Sequence, residues 1–208
     1  MALDHDAVVL AGGTGRRLGG ALKPQVEVLG RRLLDHVLDA TGDASRVVVV
    51  APEAVPVPDG VARTLEDPPH GGPVAGIVAG LRALGSGAPL VLLLACDLPG
   101  ASAAVPRLLA AAEESGATDA DGLVLSDDGG REQWLLGLYV RSALEAAVAS
   151  VAAAGGVRGA PVRDLVAPLR LLAIPAATGE VRDIDTWADR DDYLRENTGT
   201  NTTGHPDE

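Results

Sequence analysis

The sequence predicts an α/β fold: a three-layer sandwich on a Rossmann-like, mostly parallel sheet. Three observations predict it. Short continuous apolar runs alternate with stretches of helical periodicity, the pattern of a parallel sheet covered on both faces. The first apolar run leads directly into a glycine-rich loop. The apolar residues, 47% of 208, are enough for one large core. That core is nearly free of rings, with no Phe, two Trp and two Tyr, so it must pack through many small aliphatic contacts.

Each element has its own reason. The run 7–11 is continuous and apolar, as in a buried strand. Over 33–40, Leu33, Leu34, Val37 and Leu38 recur at helical spacing. Residues 46–51 read as a second buried strand and 61–65 as a third. Over 73–84, Val74, Ile77, Val78, Leu81 and Leu84 share one helical face, with Pro73 in the first turn. The most apolar strand is 89–95. A helix over 103–115 stops at Gly116. Strands 122–126 and 133–140 flank the turn Asp127-Asp128-Gly129-Gly130. An Ala-rich helix, 142–154, ends at Gly155-Gly156; a short helix follows at 162–166 and a strand at 169–174. The last helix is 186–196, with Asp185 or Thr186 as its cap. Residues 1–196 therefore read as a single domain and 197–208 as a polar, disordered tail.

Composition narrows the function. Cys96 is the only cysteine, so neither an internal disulfide nor a Cys-rich zinc site is available. The apolar runs are far shorter than the roughly 20 residues that span a bilayer, and no signal peptide is apparent, so a cytoplasmic, non-membrane protein is expected. A net charge of −12 argues against nucleic-acid binding. Against that background, residues 11–32 carry five cations (Arg16, Arg17, Lys23, Arg31, Arg32) and one acid, Glu27. Such a patch suits a small polyanion.

Lys23 is the only lysine in a chain with sixteen arginines. A site that kept lysine calls for a slender point charge rather than a planar fork. The neighbouring loop, Gly12-Gly13-Thr14-Gly15-Arg16-Arg17-Leu18-Gly19-Gly20, lets a phosphate approach backbone N–H groups without a Cβ clash. It is not a dinucleotide loop, because Leu18 occupies the last glycine position of G-x-G-x-x-G. It is not a Walker A loop either, because Ala21 and Leu22 stand where Lys and Ser or Thr are required. A loop lysine of this kind is expected to contribute little to the core. Asp97 follows the most apolar strand; a carboxylate at a strand's carboxyl end suits Mg²⁺, which takes one or two carboxylates with phosphate oxygens and water. Asp185 is either a second ligand or the helix cap, and Asp183 a weaker candidate. Arg131, Gln133 or Trp134 could face an acceptor. His70 is assigned no role.

These residues together resemble the molybdenum cofactor guanylyltransferase family, within the nucleotide-sugar-type NTP transferases. Leu10-Ala11-Gly12-Gly13-Thr14-Gly15-Arg16-Arg17-Leu18-Gly19 with Lys23-Pro24 resembles its L-A-G-G-x-x-x-R-[ML]-G…K signature. Glu66-Asp67 followed by Gly71-Gly72-Pro73-Val74-Ala75-Gly76 is similar to its E-D…G-P-L-A-G segment. Cys96-Asp97-Leu98-Pro99 is similar to C-D-x-P, and Asp183-Ile184-Asp185-Thr186 to the late N-[VI]-[ND]-T-P-E. The resemblance implies that domain 1–196 is an NTP transferase that moves GMP from GTP to molybdopterin, with a molybdoenzyme as a possible maturation partner. It implies nucleotide contacts at Leu10, Ala11, Gly12, Gly13, Lys23, Asp67 and Asp97. It implies catalytic roles for Arg16, Lys23 and Asp97, and Mg²⁺ on Asp97, with Asp185 the candidate second metal ligand if it is not the helix cap. Three positions depart from the pattern. Leu22 replaces an Asp before the lysine, Val50 falls at about the position of the family's nucleotide-contacting Asn, and Asp183 and Asp185 stand where guanylyltransferases often carry Asn. Cytidylyltransferases for the same cofactor tend to carry D-[IV]-D-T there, so cytidylyl transfer stays open, as do NTP transfer to another phosphorylated acceptor and a non-catalytic nucleotide-binding protein.

Overall fold

The strands and helices of the computed structural model follow the expected alternation. It describes residues 3–13, 15–115 and 120–198, without the side chains of Arg16 and Ser115. In chain order the elements are β1 (His5–Leu10), β2 (Glu27–Val28), β3 (Arg31–Arg32), α1 (Leu33–Asp39), β4 (Val47–Val50), β5 (Ala62–Thr64) and α2 (Pro73–Leu84). There follow β6 (Leu90–Ala95), α3 (Ala101–Ser115), β7 (Gly122–Ser126), β8 (Glu132–Val140), α4 (Arg141–Ala154), α5 (Val162–Val166), β9 (Leu171–Pro175) and α6 (Trp187–Thr198). Residues 197 and 198, expected in the tail, belong to α6; 199–208 lie outside the described residues.

Seven strands form one sheet in the order β5-β4-β1-β6-β8-β7-β9. Only β8 runs against the rest, because the Asp127 turn folds it back on β7. Asp127 Oδ1 builds that turn by accepting the N–H groups of Gly129 and Arg131, both at 2.9 Å. The period-2 geometry of strands sorts the apolar runs onto two faces. Ala7, Val9, Val49, Leu92 and Leu94 pack with α1 and α3, whereas Val8, Val48, Val50, Val91 and Leu93 pack with α2, α4 and α5. The mostly parallel three-layer sandwich is therefore the observed fold.

Helix α2 lies very close to the sheet, because it presents glycine to the strands. A Cβ on Gly80 would stand 2.4 Å from Val8 Cγ1, and one on Gly76 would stand 3.2 Å from Leu10 Cδ2. This contact sets the carboxyl ends of β1 and β4 against the start of α2.

Two features escaped the hydrophobic pattern. β1 begins at His5 rather than at residue 7, and His5 and Asp6 are both buried. Asp6 is tolerated because Arg141 at 2.5 Å, Arg46 at 2.7 Å and the Ala88 N–H at 3.2 Å surround its carboxylate. Buried charge is sustained only by such pairing. Second, residues 16–32 fold into two 3-10 turns, Arg16–Leu18 and Lys23–Gln25, and the β2–β3 hairpin. Leu18, Val26, Val28 and Leu33 pack there on Ile184 and Tyr193. This small cluster ties the glycine-rich loop to the chain's last segment.

Candidate active site

The carboxyl ends of neighbouring parallel strands open into a cavity of about 440 Å³. One end is formed by Gly12, Gly13, Lys23 and Asp97, the other by Val50, Glu66, His70 and Pro73. Leu10, Gly76 and Leu135 also line it. Ligands of open α/β sheets bind at this edge, and the volume suits a small-molecule site.

The loop folds back to bring Lys23 into this cavity. Gly15 sits at φ 53°, and a Cβ there would fall 1.9 Å from the Ala21 carbonyl oxygen, so only glycine permits the turn. The Gly15 carbonyl accepts the N–H groups of Leu18 at 2.8 Å and Gly20 at 3.1 Å. Lys23 is consequently not a surface loop residue, as the sequence suggested: it is 9% exposed. Its Nζ donates to Asp97 Oδ2 at 2.5 Å and to Asp185 Oδ1. Burial pulls the Lys23 pKa down, but the Asp97 charge and the hydrogen bonds to Asp185 and Asp97 outweigh it, and the net displacement is upward. The ammonium therefore stays charged at neutral pH. Asp183 shows the complementary strain: burial first, then the charges of Asp97 and Asp185, push its carboxyl above the usual range. Burial pushes the Cys96 thiol up, which removes it as a nucleophile.

The start of α6 shows that the Asp185 side chain is not the helix cap. Asp189 Oδ2 accepts the Thr186 N–H at 2.7 Å and the Asp185 N–H at 3.1 Å, while Thr186 Oγ1 accepts the Asp189 N–H at 3.1 Å. This reciprocal box caps the helix through Thr186. The Asp185 side chain is left for Lys23, with exposed Arg17 donating to its other oxygen at 3.4 Å.

The predicted residues do not all meet. Leu10, Gly12, Gly13, Lys23 and Asp97 line one cavity, with Asp185 joined to them through Lys23. Ala11 is buried and donates its N–H to the Val50 carbonyl at 2.8 Å. Asp67 lines an adjacent cavity of about 360 Å³ beside Arg82 and Arg158. The backbone of Arg16 lies in the first 3-10 turn, while its side chain is outside the described residues. The five-cation patch is largely neutralised, since Arg31 pairs with Asp39 and Arg32 with Asp35. Trp134 donates to Glu132 at 2.7 Å, and it is Leu135 that reaches the cavity. Val50, Glu66, His70 and Leu135 were not assigned by sequence; position at a strand end would have flagged Val50 and Glu66.

Among the described residues no three His, Cys, Asp or Glu side chains converge as an all-protein metal cage requires. Asp97 and Asp185 do converge, on a cation: the Lys23 ammonium stands between them. Two carboxylates that converge at one point, Asp97 of them lining the cavity, are a donor set that fits Mg²⁺, which draws its remaining ligands from phosphate and water.

The profile of the MobA-like NTP transferase domain matches residues 7–170. The chain belongs to the MobA-like NTP transferase family. Relatives in that family include the molybdenum cofactor guanylyltransferase of Acidiphilium cryptum, 44% identical over 112 residues, covering 50% of this chain and 54% of the relative. That of Shewanella amazonensis is 33% identical over 138 residues, covering 64% of this chain and 67% of the relative. The match thus spans about half to two thirds of these relatives' length. Solved structures share the MobA-like fold. One is the molybdopterin-guanine dinucleotide biosynthesis protein A of Archaeoglobus fulgidus, with TM-score 0.67 and 20% identity over 94% of this chain and 100% of that one. Another is a Mycobacterium tuberculosis protein in complex with manganese, with TM-score 0.65 and 19% identity over 92% and 98%. No helix among the described residues is long and apolar enough to cross a membrane.

Proposed function

We propose that this chain is a Mg²⁺-dependent, cytoplasmic guanylyltransferase that moves GMP from GTP to the terminal phosphate of molybdopterin. The observation that carries the reading is the Lys23 ammonium held between Asp97 and Asp185 beside Gly12 and Gly13, at one end of a nucleotide-sized cavity. The family match and the named relatives support the reaction class and the acceptor.

In this reading the Gly12 and Gly13 backbone faces the phosphates, and Lys23 neutralises charge on the α-phosphate. Arg16 assists at the β- and γ-phosphates. Asp97 and Asp185 would hold Mg²⁺, whose charge would offset the negative charge that develops on the transferred phosphoryl group. An ionised oxygen of the acceptor phosphate attacks the α-phosphorus. The bond from that phosphorus to the bridging oxygen breaks, and pyrophosphate leaves with the electron pair. The nucleophile is already anionic, so no side chain must remove a proton. A molybdoenzyme is the expected recipient of the product, and neither nucleic acid nor a membrane takes part.

Cytidylyl transfer is the second reading, favoured by Asp183-Ile184-Asp185-Thr186 and by Val50 in the cavity wall. Incubation with molybdopterin, Mg²⁺ and each NTP decides. Pyrophosphate release with GTP alone is expected; release with CTP alone selects the second reading. No release from any NTP, despite nucleotide binding, would leave a non-catalytic binding protein.

A further inference from the structure

We propose that Glu66, rather than its neighbour Asp67, reads the base, and that the base it selects is guanine. The inference rests on the transferase reading above and supplies the specificity that reading lacks.

The sheet itself provides a ruler. β5, β4, β1 and β6 are consecutive neighbours, and the cavity runs across their carboxyl ends from Glu66, after β5, to Asp97, after β6. Three strand spacings amount to about 14 Å, the scale of a nucleotide from base edge to α-phosphate. With the phosphates at Gly13, Lys23 and Asp97, the base falls against Leu10, Val50, Pro73 and Gly76. These residues offer an apolar slot, and Gly76 keeps it free of a side chain. At the end of that slot, Glu66 is the carboxylate that remains.

Its chemistry is selective. Guanine presents two adjacent donors, N1–H and the 2-amino group. The two oxygens of a carboxylate match such a pair with parallel, charge-assisted hydrogen bonds. Cytosine and adenine each set one donor beside a ring-nitrogen lone pair, which a carboxylate repels. Glu66 Oε1 already accepts the Gly71 N–H at 3.3 Å, but a carboxylate has about four acceptor sites, and that anchor leaves the others open. The anchor is itself braced. Gly159 donates its N–H to the Gly71 carbonyl at 2.7 Å, and Arg158 donates to the carbonyls of Pro68 at 3.1 Å and Pro69 at 3.4 Å. Glu66 borders both this cavity and the adjacent one, whereas Asp67 lines only the adjacent one.

Calorimetry with GTP, ITP and CTP in the presence of Mg²⁺ tests the assignment on the wild type, Glu66→Gln and Asp67→Asn. ITP lacks the 2-amino group. The wild type is expected to bind GTP about ten- to a hundred-fold more tightly than ITP, the worth of one hydrogen bond to a charged group. In Glu66→Gln that ratio should collapse toward one. The glutamine oxygen still accepts from Gly71, and unchanged hydrogen exchange at the Gly71 amide would verify that the loop is intact. The assignment is overturned if the ratio survives in Glu66→Gln, if Asp67→Asn abolishes it instead, or if the wild type prefers CTP. Nucleotide binding without any preference for GTP over ITP overturns Glu66 alone; no nucleotide binding overturns the transferase reading and this one together.

Discussion

Removing the Lys23 ammonium should both destabilise the fold and silence the site. In Lys23→Ala, Asp97 and Asp185 are left facing one another across the vacated position. Each lost bond to a charged partner contributes about 1.5–3 kcal/mol when buried. The Asp185 side chain is 42% exposed and that of Asp97 20%, so solvent screening removes part of this. Roughly 2 kcal/mol of net destabilisation remains. For a domain of this size that corresponds to a fall in Tm of roughly 4–8 °C. Thermal unfolding without nucleotide measures it. The double variant Lys23→Ala with Asp185→Asn should recover part of the loss, because the second change relieves the repulsion left by the first. The sign with pH follows from the raised Lys23 pKa. The contribution is complete below the ordinary lysine value of 10.5 and is lost as pH rises through the higher folded value. It should therefore be constant across neutral pH. Turnover should fall by roughly 10²–10³, as when one preorganised electrostatic group is removed. Lys23→Arg should also be impaired, since a planar fork cannot occupy the point between two carboxylates as an ammonium does. A Tm within about 1 °C of wild type, or strictly additive effects in the double variant, would refute the bridging role.

Three further outcomes are expected. Asp97→Asn should weaken Mn²⁺ binding measured by electron paramagnetic resonance and reduce turnover by roughly 10²–10³; undiminished Mn²⁺ affinity would remove Asp97 from the metal site. Gly80→Ala should destabilise the protein, because overpacking against Val8 costs about 1–3 kcal/mol while helix propensity returns about 1 kcal/mol. Urea unfolding that shows a gain in stability would contradict the close packing of α2. Asp6→Asn should cost about 3 kcal/mol, because Arg141 and Arg46 lose their buried counter-charge, yet leave nucleotide affinity unchanged; an unmoved urea midpoint would count against that cluster.

Hydrophobic period was sufficient to read the central strands. Val47–Val50 and Leu90–Ala95 are continuous apolar runs because parallel strands are buried on both faces. It misjudged the start of β1, because Asp6 is buried by ion pairing with Arg46 and Arg141, 40 and 135 residues away, and a local pattern cannot register those partners. The β2–β3 hairpin was likewise invisible, since two-residue strands carry no period.

The candidate site divides along the same line. Local chemistry alone singled out Lys23 among sixteen arginines, the glycines before it, and Asp97 at the end of the most apolar strand. These signals survive without tertiary context because a strand's carboxyl end and a phosphate loop are local features. Only the folded chain decided that Lys23 is buried, since its partners lie 74 and 162 residues away. Only the Thr186–Asp189 capping box released Asp185 from the helix end to meet it. The choice between Glu66 and Asp67 as the cavity's acid was also beyond the sequence. Of two adjacent residues in one motif, Glu66 borders both cavities and Asp67 only the one beside Arg82, according to the path of the loop, and distant Arg158 and Gly159 hold that path in place.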